Sequence, residues 1–89
     1  MHVDSDILAN CVGRYQLVAN VVLTVTQQDG GLFAQSPGAP EIPIYPESEK
    51  QFFYKAVDAQ ITFVTGGTGR ANSLVLRHDG REVRAQRID

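Results

Sequence analysis

Apolar positions along this chain recur with a period of two rather than three or four. From Cys11 onward, short runs of β-branched and aromatic residues alternate with polar ones and are punctuated by Gly, Pro, Asn and Asp. That is the pattern of consecutive antiparallel strands. The first run, 12–18, puts Gly13, Tyr15 and Leu17 on one face and Arg14 and Gln16 on the other, and the face bearing Tyr15 is predicted to turn inward. Beyond Ala19-Asn20, Val21, Leu23 and Val25 alternate with Val22, Thr24 and Thr26. Asp29-Gly30-Gly31 then offers the positive-φ residues of a tight hairpin leading into a return strand at 32–35.

Ser36-Pro37-Gly38-Ala39-Pro40 interrupts the ladder, because each proline lacks an N–H and fixes its φ. The run 41–45 is extended but holds Pro43, which predicts an edge or bulged strand. Pro46-Glu47-Ser48-Glu49 turns the chain into paired runs at 51–57 and 59–65, joined at Asp58. In the first of these, Phe52 and Tyr54 oppose Phe53 and Lys55, so one aromatic face must be buried; in the second, Ile61 and Phe63 share a face and are the strongest core candidates. Gly66-Gly67-Thr68-Gly69 reverses the chain into 73–78, and Asp79-Gly80 sends 81–88 back as a closing strand. Val22–Thr26 before Gly30-Gly31 and Gln60–Thr65 before Gly66-Gly67 echo each other as repeated hairpin chemistry. Residues 5–10 suit one helical turn, with Ser5 or Asp4 as N-cap, placed to cap one end of the sheet.

These runs predict an all-β fold: an up-and-down antiparallel meander of about eight strands of roughly 5–7 residues. A flat sheet of that size would leave two edges and an exposed apolar face, so it is expected to curl into a barrel or strongly bent half-barrel. Eighty-nine residues fit one domain, read as an N-terminal tail and helical turn over 1–10 and a barrel over 11–89. A formal charge of −2 gives no excess of cations for a phosphate backbone, which argues against nucleic acid as partner. The apolar runs are too short for a helical membrane span, and the opening residues do not read as a signal peptide. Cys11 stands alone, and His2 and His78 lack zinc-ligand spacing. Stability must therefore come from packing, and docking onto a neighbour would add to it; any edge left open is compatible with a homodimer.

Candidate chemistry is sparse. None of Ser5, Ser36, Ser48 and Ser73 is followed by Lys three residues later, and Gly-x-Ser-x-Gly is absent, so no catalytic residue, metal or cofactor is assigned. Gly66-Gly67-Thr68-Gly69-Arg70 lacks the Gly-Lys-Ser/Thr ending and following helix of a phosphate loop and reads as a hairpin loop. Arg70, Arg77, Arg81, Arg84 and Arg87 against Asp79, Glu82 and Asp89 make the C-terminal stretch locally basic by two charges; they read as a solvated outer face or partners of Glu41, Glu47 and Glu49. The aromatic residues either fill the barrel or line a small apolar cavity. Tyr15, Leu23, Phe33, Phe63 and Leu76 are the candidates for core or ligand pocket, and Tyr45, Phe53 and Tyr54 for a docking surface.

The order of landmarks carries a resemblance. Cys11-Val12-Gly13-Arg14-Tyr15 is followed by Leu23-Thr24-Val25-Thr26, Leu32-Phe33-Ala34-Gln35, Tyr45-Pro46-Glu47-Ser48-Glu49 and Phe52-Phe53, then by Ile61-Thr62-Phe63-Val64, Leu74-Val75-Leu76 and Asp79-Gly80-Arg81-Glu82. From about Asn10 to Ile88 the chain resembles the small lipocalin-like β-domain at the C-terminus of many beta-lactamase-related serine hydrolases and penicillin-binding-protein homologues, a family without assigned function. The resemblance implies an eight-stranded, calycin-like barrel that accompanies a catalytic domain, in cis or in trans, and an exported or periplasmic parent. It carries over no catalytic residue. The function it implies is that of a non-catalytic accessory domain packing against or regulating a serine hydrolase domain; the alternative is a binding module for a small apolar ligand.

Overall fold

A computed structural model of the protein describes residues 3–18, 21–55, 58–65 and 69–88. A short helix, α1 (Ser5–Ala9), precedes eight strands: β1 (Gly13–Val18), β2 (Val21–Gln28), β3 (Gly31–Gln35), β4 (Ile42–Pro46), β5 (Gln51–Phe53), β6 (Ala59–Thr65), β7 (Ala71–His78) and β8 (Arg81–Arg87). Each pairs antiparallel with the next, and β8 returns to β1, so the meander closes into a full barrel rather than a half-barrel. The hairpins β2–β3 and β7–β8 turn on Asp29-Gly30 (φ 51° and 78°) and Asp79-Gly80 (φ 52° and 77°). Positive φ at both central residues is the two-residue turn whose twist matches that of the strands it joins.

Two strands depart from expectation. β4 is not an edge: it pairs with β3 at Ile42, Pro43 and Ile44 and with β5 at Tyr45 and Pro46. Pro43 and Pro46 supply no N–H, and β4 accordingly has short ladders on both sides. β5 covers 51–53 rather than 51–57. Lys55 already lies in a bend, and Ala56 and Val57 lie outside the described residues, as do Gly66, Gly67 and Thr68 of the glycine-rich reversal and His2.

Alternation fills the interior. Tyr15, Phe52 and Phe63 are at most 1% exposed. The Phe63 ring stands edge-on to Phe52 with centroids 5.6 Å apart and lies 6.0 Å from Tyr15, a geometry in which ring edges meet ring faces. Leu23, Val25, Leu32, Ile61 and Leu74 close around them. Between β6 and β7 the register slips: Val64 faces Ser73 but Thr65 faces Ala71, leaving Asn72 as the extra residue. That bulge lets Ala71 and Leu74, which strict alternation would set on opposite faces, both be buried. Val3 and Leu8 belong to the same cluster, so α1 and the residue leading to it plug the mouth formed by the β2–β3 turn and the ends of β4 and β7. The peptide links agree, with Gln27 Nε2 donating to Ser5 O at 3.1 Å and Ala71 N to Asn10 O at 2.9 Å.

One charged side chain crosses this end. Arg87, at an inward position of β8 two residues beyond buried Ala85, donates from its guanidinium to the carbonyl oxygens of Ala71 (2.7 Å) and Val12. It lies over the Tyr15 ring, 5.9 Å from the centroid, while the Tyr15 hydroxyl donates to Cys11 O at 2.8 Å. For Arg87 this corrects the expectation that the C-terminal arginines lie on a solvated outer face or pair with Glu41, Glu47 and Glu49. Gly13 is what makes room: a Cβ there would meet the guanidinium at 2.8–3.0 Å. Gly13→Ala is expected to displace Arg87 from both carbonyls and to destabilise the domain by about 1–3 kcal/mol, the cost of leaving buried acceptors unpaired. Urea denaturation checks this, and an unchanged midpoint would refute the clamp.

Candidate functional site

The five residues proposed for core or pocket do not surround one cavity. Tyr15, Leu23 and Phe63 are buried in the central cluster. Leu76 faces inward opposite Ile61 and Val83, near the end of the barrel away from α1, and is only half-buried. Phe33 points outward: β3 alternates, and its buried residues are Leu32 and Ala34. The expectation for Phe33 counted an aromatic as interior, whereas strand parity gives that place to its two aliphatic neighbours.

The three residues proposed for docking also divide. Tyr54 packs against the core from the end that Leu76 occupies, and burial pushes its phenol above the ordinary tyrosine value. Like Tyr45 and Phe53 it is half-buried, but it packs toward the core rather than into their cluster. Tyr45 and Phe53 face each other across β4 and β5 on the outside of the barrel, with ring centroids 5.9 Å apart. On β3, Phe33 faces Pro43 in the same way. Phe33, Pro43, Tyr45 and Phe53 thus make an outward apolar strip over three strands, each residue half-buried. The Lys55 ammonium lies 4.2 Å from the centre of the Tyr45 ring.

Beside this strip the wall parts. The β3–β4 ladder ends at the pair Leu32–Ile44, and beyond it the β2–β3 turn and the end of β4 separate around a cleft of about 420 Å³. Its floor is Val3, Leu8, Leu32, Ile44 and Phe52, all core residues. Phe33, Tyr45 and Asp29 stand at its lip. Volume and lining are those of a site for one small apolar body. The sequence reading missed the cleft because it arises where pairing stops, and strand lengths do not show where a ladder will end. The two prolines of β4 were the available signal.

A smaller cavity of about 200 Å³ is lined by Cys11 with Ile7, Lys50 and Phe63, and Ser48, Ser73 and His78 lie elsewhere. The Ser48 hydroxyl accepts the N–H of Lys50 and of Gln51 in a turn, and Ser73 bonds to Asn72. His78 is exposed, 3.8 Å from Asp79. Among the described residues no three of His, Cys, Asp and Glu gather as metal ligands would. Cys11 is 3% exposed, and burial pushes its thiol up to about 11 against a smaller opposing effect of Arg87. The thiol is expected to react with disulfide reagents only after unfolding. Because the folded state holds this proton more tightly than the unfolded chain does, stability is expected to fall as pH rises from about 9 through about 11. The decline should be smaller in Cys11→Ala, and equal slopes in the two proteins would refute its origin in Cys11. Core and strip are separable by the same unfolding measurement: Phe63→Ala should cost about 3–5 kcal/mol and Phe53→Ala about 1 kcal/mol or less.

Residues 2–87 match the family described as domain of unknown function DUF3471. Over 85 residues, 96% of this chain, the protein is 32% identical to Penicillin-binding protein 4* of Bacillus subtilis (strain 168). The matched segment spans only 19% of that relative's length. No solved structure matches the chain at a significant level. The family match runs nearly end to end and the relative aligns along almost the whole chain, and the chain belongs to the DUF3471 family.

Proposed function

We propose that this chain is a non-catalytic β-barrel domain that packs against a beta-lactamase-type serine hydrolase domain, either in the same polypeptide or as a separate chain. The observation that carries this reading is the apolar strip of Phe33, Pro43, Tyr45 and Phe53 on the outside of a barrel whose inside is filled. Side chains that contribute little to the core yet form a contiguous aromatic surface are suited to burial against another protein. The Bacillus relative supports the pairing, since there the matching segment is about a fifth of a much longer penicillin-binding protein. The serine geometry supports the lack of chemistry: the Ser48 hydroxyl serves a turn and that of Ser73 bonds to Asn72 at the bulge, neither of them to a base.

The cleft beside the strip favours a second reading, in which a small apolar ligand enters between β3 and β4. Such a ligand would touch Leu32, Ile44 and Phe52 rather than Tyr15, Leu23, Phe63 and Leu76.

The Bacillus protein lacking its matching segment serves as the hydrolase probe. Added in trans, the 89-residue chain is expected to bind it in calorimetric titration, and on its own to turn over neither a chromogenic β-lactam nor a D-alanyl ester. Turnover by the isolated chain, or no association with the probe, would overturn the proposal.

A further inference from the structure

The apolar strip has a charged frame. Glu41 accepts hydrogen bonds from Thr26 Oγ1 (3.2 Å) and Gln28 Nε2 (2.8 Å), and Glu47 accepts one from Gln60 Nε2 (3.1 Å). Asp29, held in the tight β2–β3 turn, stands at the lip of the cleft. The donors on Glu41 and Glu47 are neutral hydroxyl and amide groups, so they fix the carboxylates in place without cancelling their charge. Among the described residues none of these three carboxylates is paired with a Lys, Arg or His. Lys55 on the Tyr45 ring and Lys50 between β4 and β5 are the cations set against them.

The asymmetry extends over the molecule. Up to residue 69 the chain holds seven acidic and three basic residues; from Arg70 on, it holds five arginines and three acids. Since β7 and β8 lie across the barrel from β3–β5, the strip sits on the acidic side. An apolar centre with a charged rim is the anatomy of a protein interface, and rim charges select the partner and speed its approach.

The geometry points to a partner surface that sets an apolar or aromatic anchor into the cleft between β3 and β4 and brings Arg or Lys to Asp29, Glu41 and Glu47. This rests on the proposed function for the identity of the partner: the surface belongs to the hydrolase domain. A second copy of the chain, offering its own arginine face, fits less well. Arg77 there stands directly opposite Glu82 on the neighbouring strand and His78 lies beside Asp79, so that face already carries its own counter-charges. Such a contact would also join unlike faces, which closes only if the rotation between copies permits.

Two probes test this. The first is a blocked peptide with one phenylalanine between two arginines, titrated into the isotope-labelled protein beside a twin carrying two glutamates. The arginine peptide is expected to shift the NMR signals of Asp29, Phe33, Tyr45 and Phe53 and the twin to leave them unmoved; equal shifts from both, shifts elsewhere, or none would overturn the assignment. The second is the hydrolase probe described above. Glu41→Gln with Glu47→Gln is expected to weaken binding by about 5–30-fold at low salt and to flatten its salt dependence, as for rim charges that steer association. Tyr45→Ala should weaken it at every salt concentration, and Arg77→Gln should not change it. Binding lost in Arg77→Gln and kept in the glutamate variant would overturn this surface while leaving the proposed function intact. Selective peptide shifts with no hydrolase binding would do the reverse. Self-association abolished by Arg77→Gln, or arginine-independent uptake of a small apolar compound into the cleft, would also overturn the assignment.

Discussion

A barrel made by one meander is closed only if its last strand finds its first, and here that seam is short. β8 meets β1 at two register positions, Tyr15 with Arg87 and Gln16 with Gln86, with Ile88 N donating to Arg14 O just beyond. The weight is carried by Arg87, whose guanidinium spans from the carbonyl of Val12 before β1 to that of Ala71 at the start of β7. A guanidinium has donors in a fixed fork, so one side chain can hold two backbone acceptors from separate segments. Its neighbours are arranged around it: Tyr15 beneath, Cys11 bonded to the Tyr15 hydroxyl, and Gly13, whose missing side chain is the space Arg87 occupies.

Filling the interior has a consequence for function. Of the seven aromatic residues, Tyr15, Phe52 and Phe63 form the packed centre, and Tyr54 closes against the core at the end away from α1. The other three, Phe33, Tyr45 and Phe53, stand outside on adjacent strands. A hollow barrel would have drawn its aromatics inward around a ligand. Here the large side chains occupy the centre, and the remaining aromatic surface lies on the outer wall and beside the cleft.

Much of this was legible in the alternation. The inward set of Tyr15, Leu23, Ile61 and Phe63, the paired hairpins at Asp29-Gly30 and Asp79-Gly80, and the order of eight strands follow from a period of two and from residues that tolerate positive φ. What was not legible depended on partners far away in the chain. Phe33 resembles a core residue until the parity of Leu32 and Ala34 is fixed by Ile44 and Ile42 across the ladder. Arg87 resembles a surface arginine until the fold lays its guanidinium where a side chain at Gly13 would stand. Tyr54 lies past the end of a strand that stops at Phe53, where alternation no longer says which way a side chain points. The cleft belongs to neither strand that borders it, since it exists only because their pairing stops at Leu32–Ile44.

The place where the wall is weakest is also the place proposed to be covered. β4 pairs at three positions on one side and two on the other, and β5 has three residues, so the β3–β5 segment contributes few ladder bonds to a domain small enough to have a thin margin. Local opening is concentrated where backbone pairing and buried contacts are few. A partner seated on Phe33, Tyr45 and Phe53 would cover that segment, and because it binds only the closed wall it would raise the stability of the whole barrel by mass action. The two prolines of β4 bear on this segment. By withholding N–H donors they leave β4 with fewer ladder bonds, which weakens the free domain, and the proposed neighbour would restore what was lost.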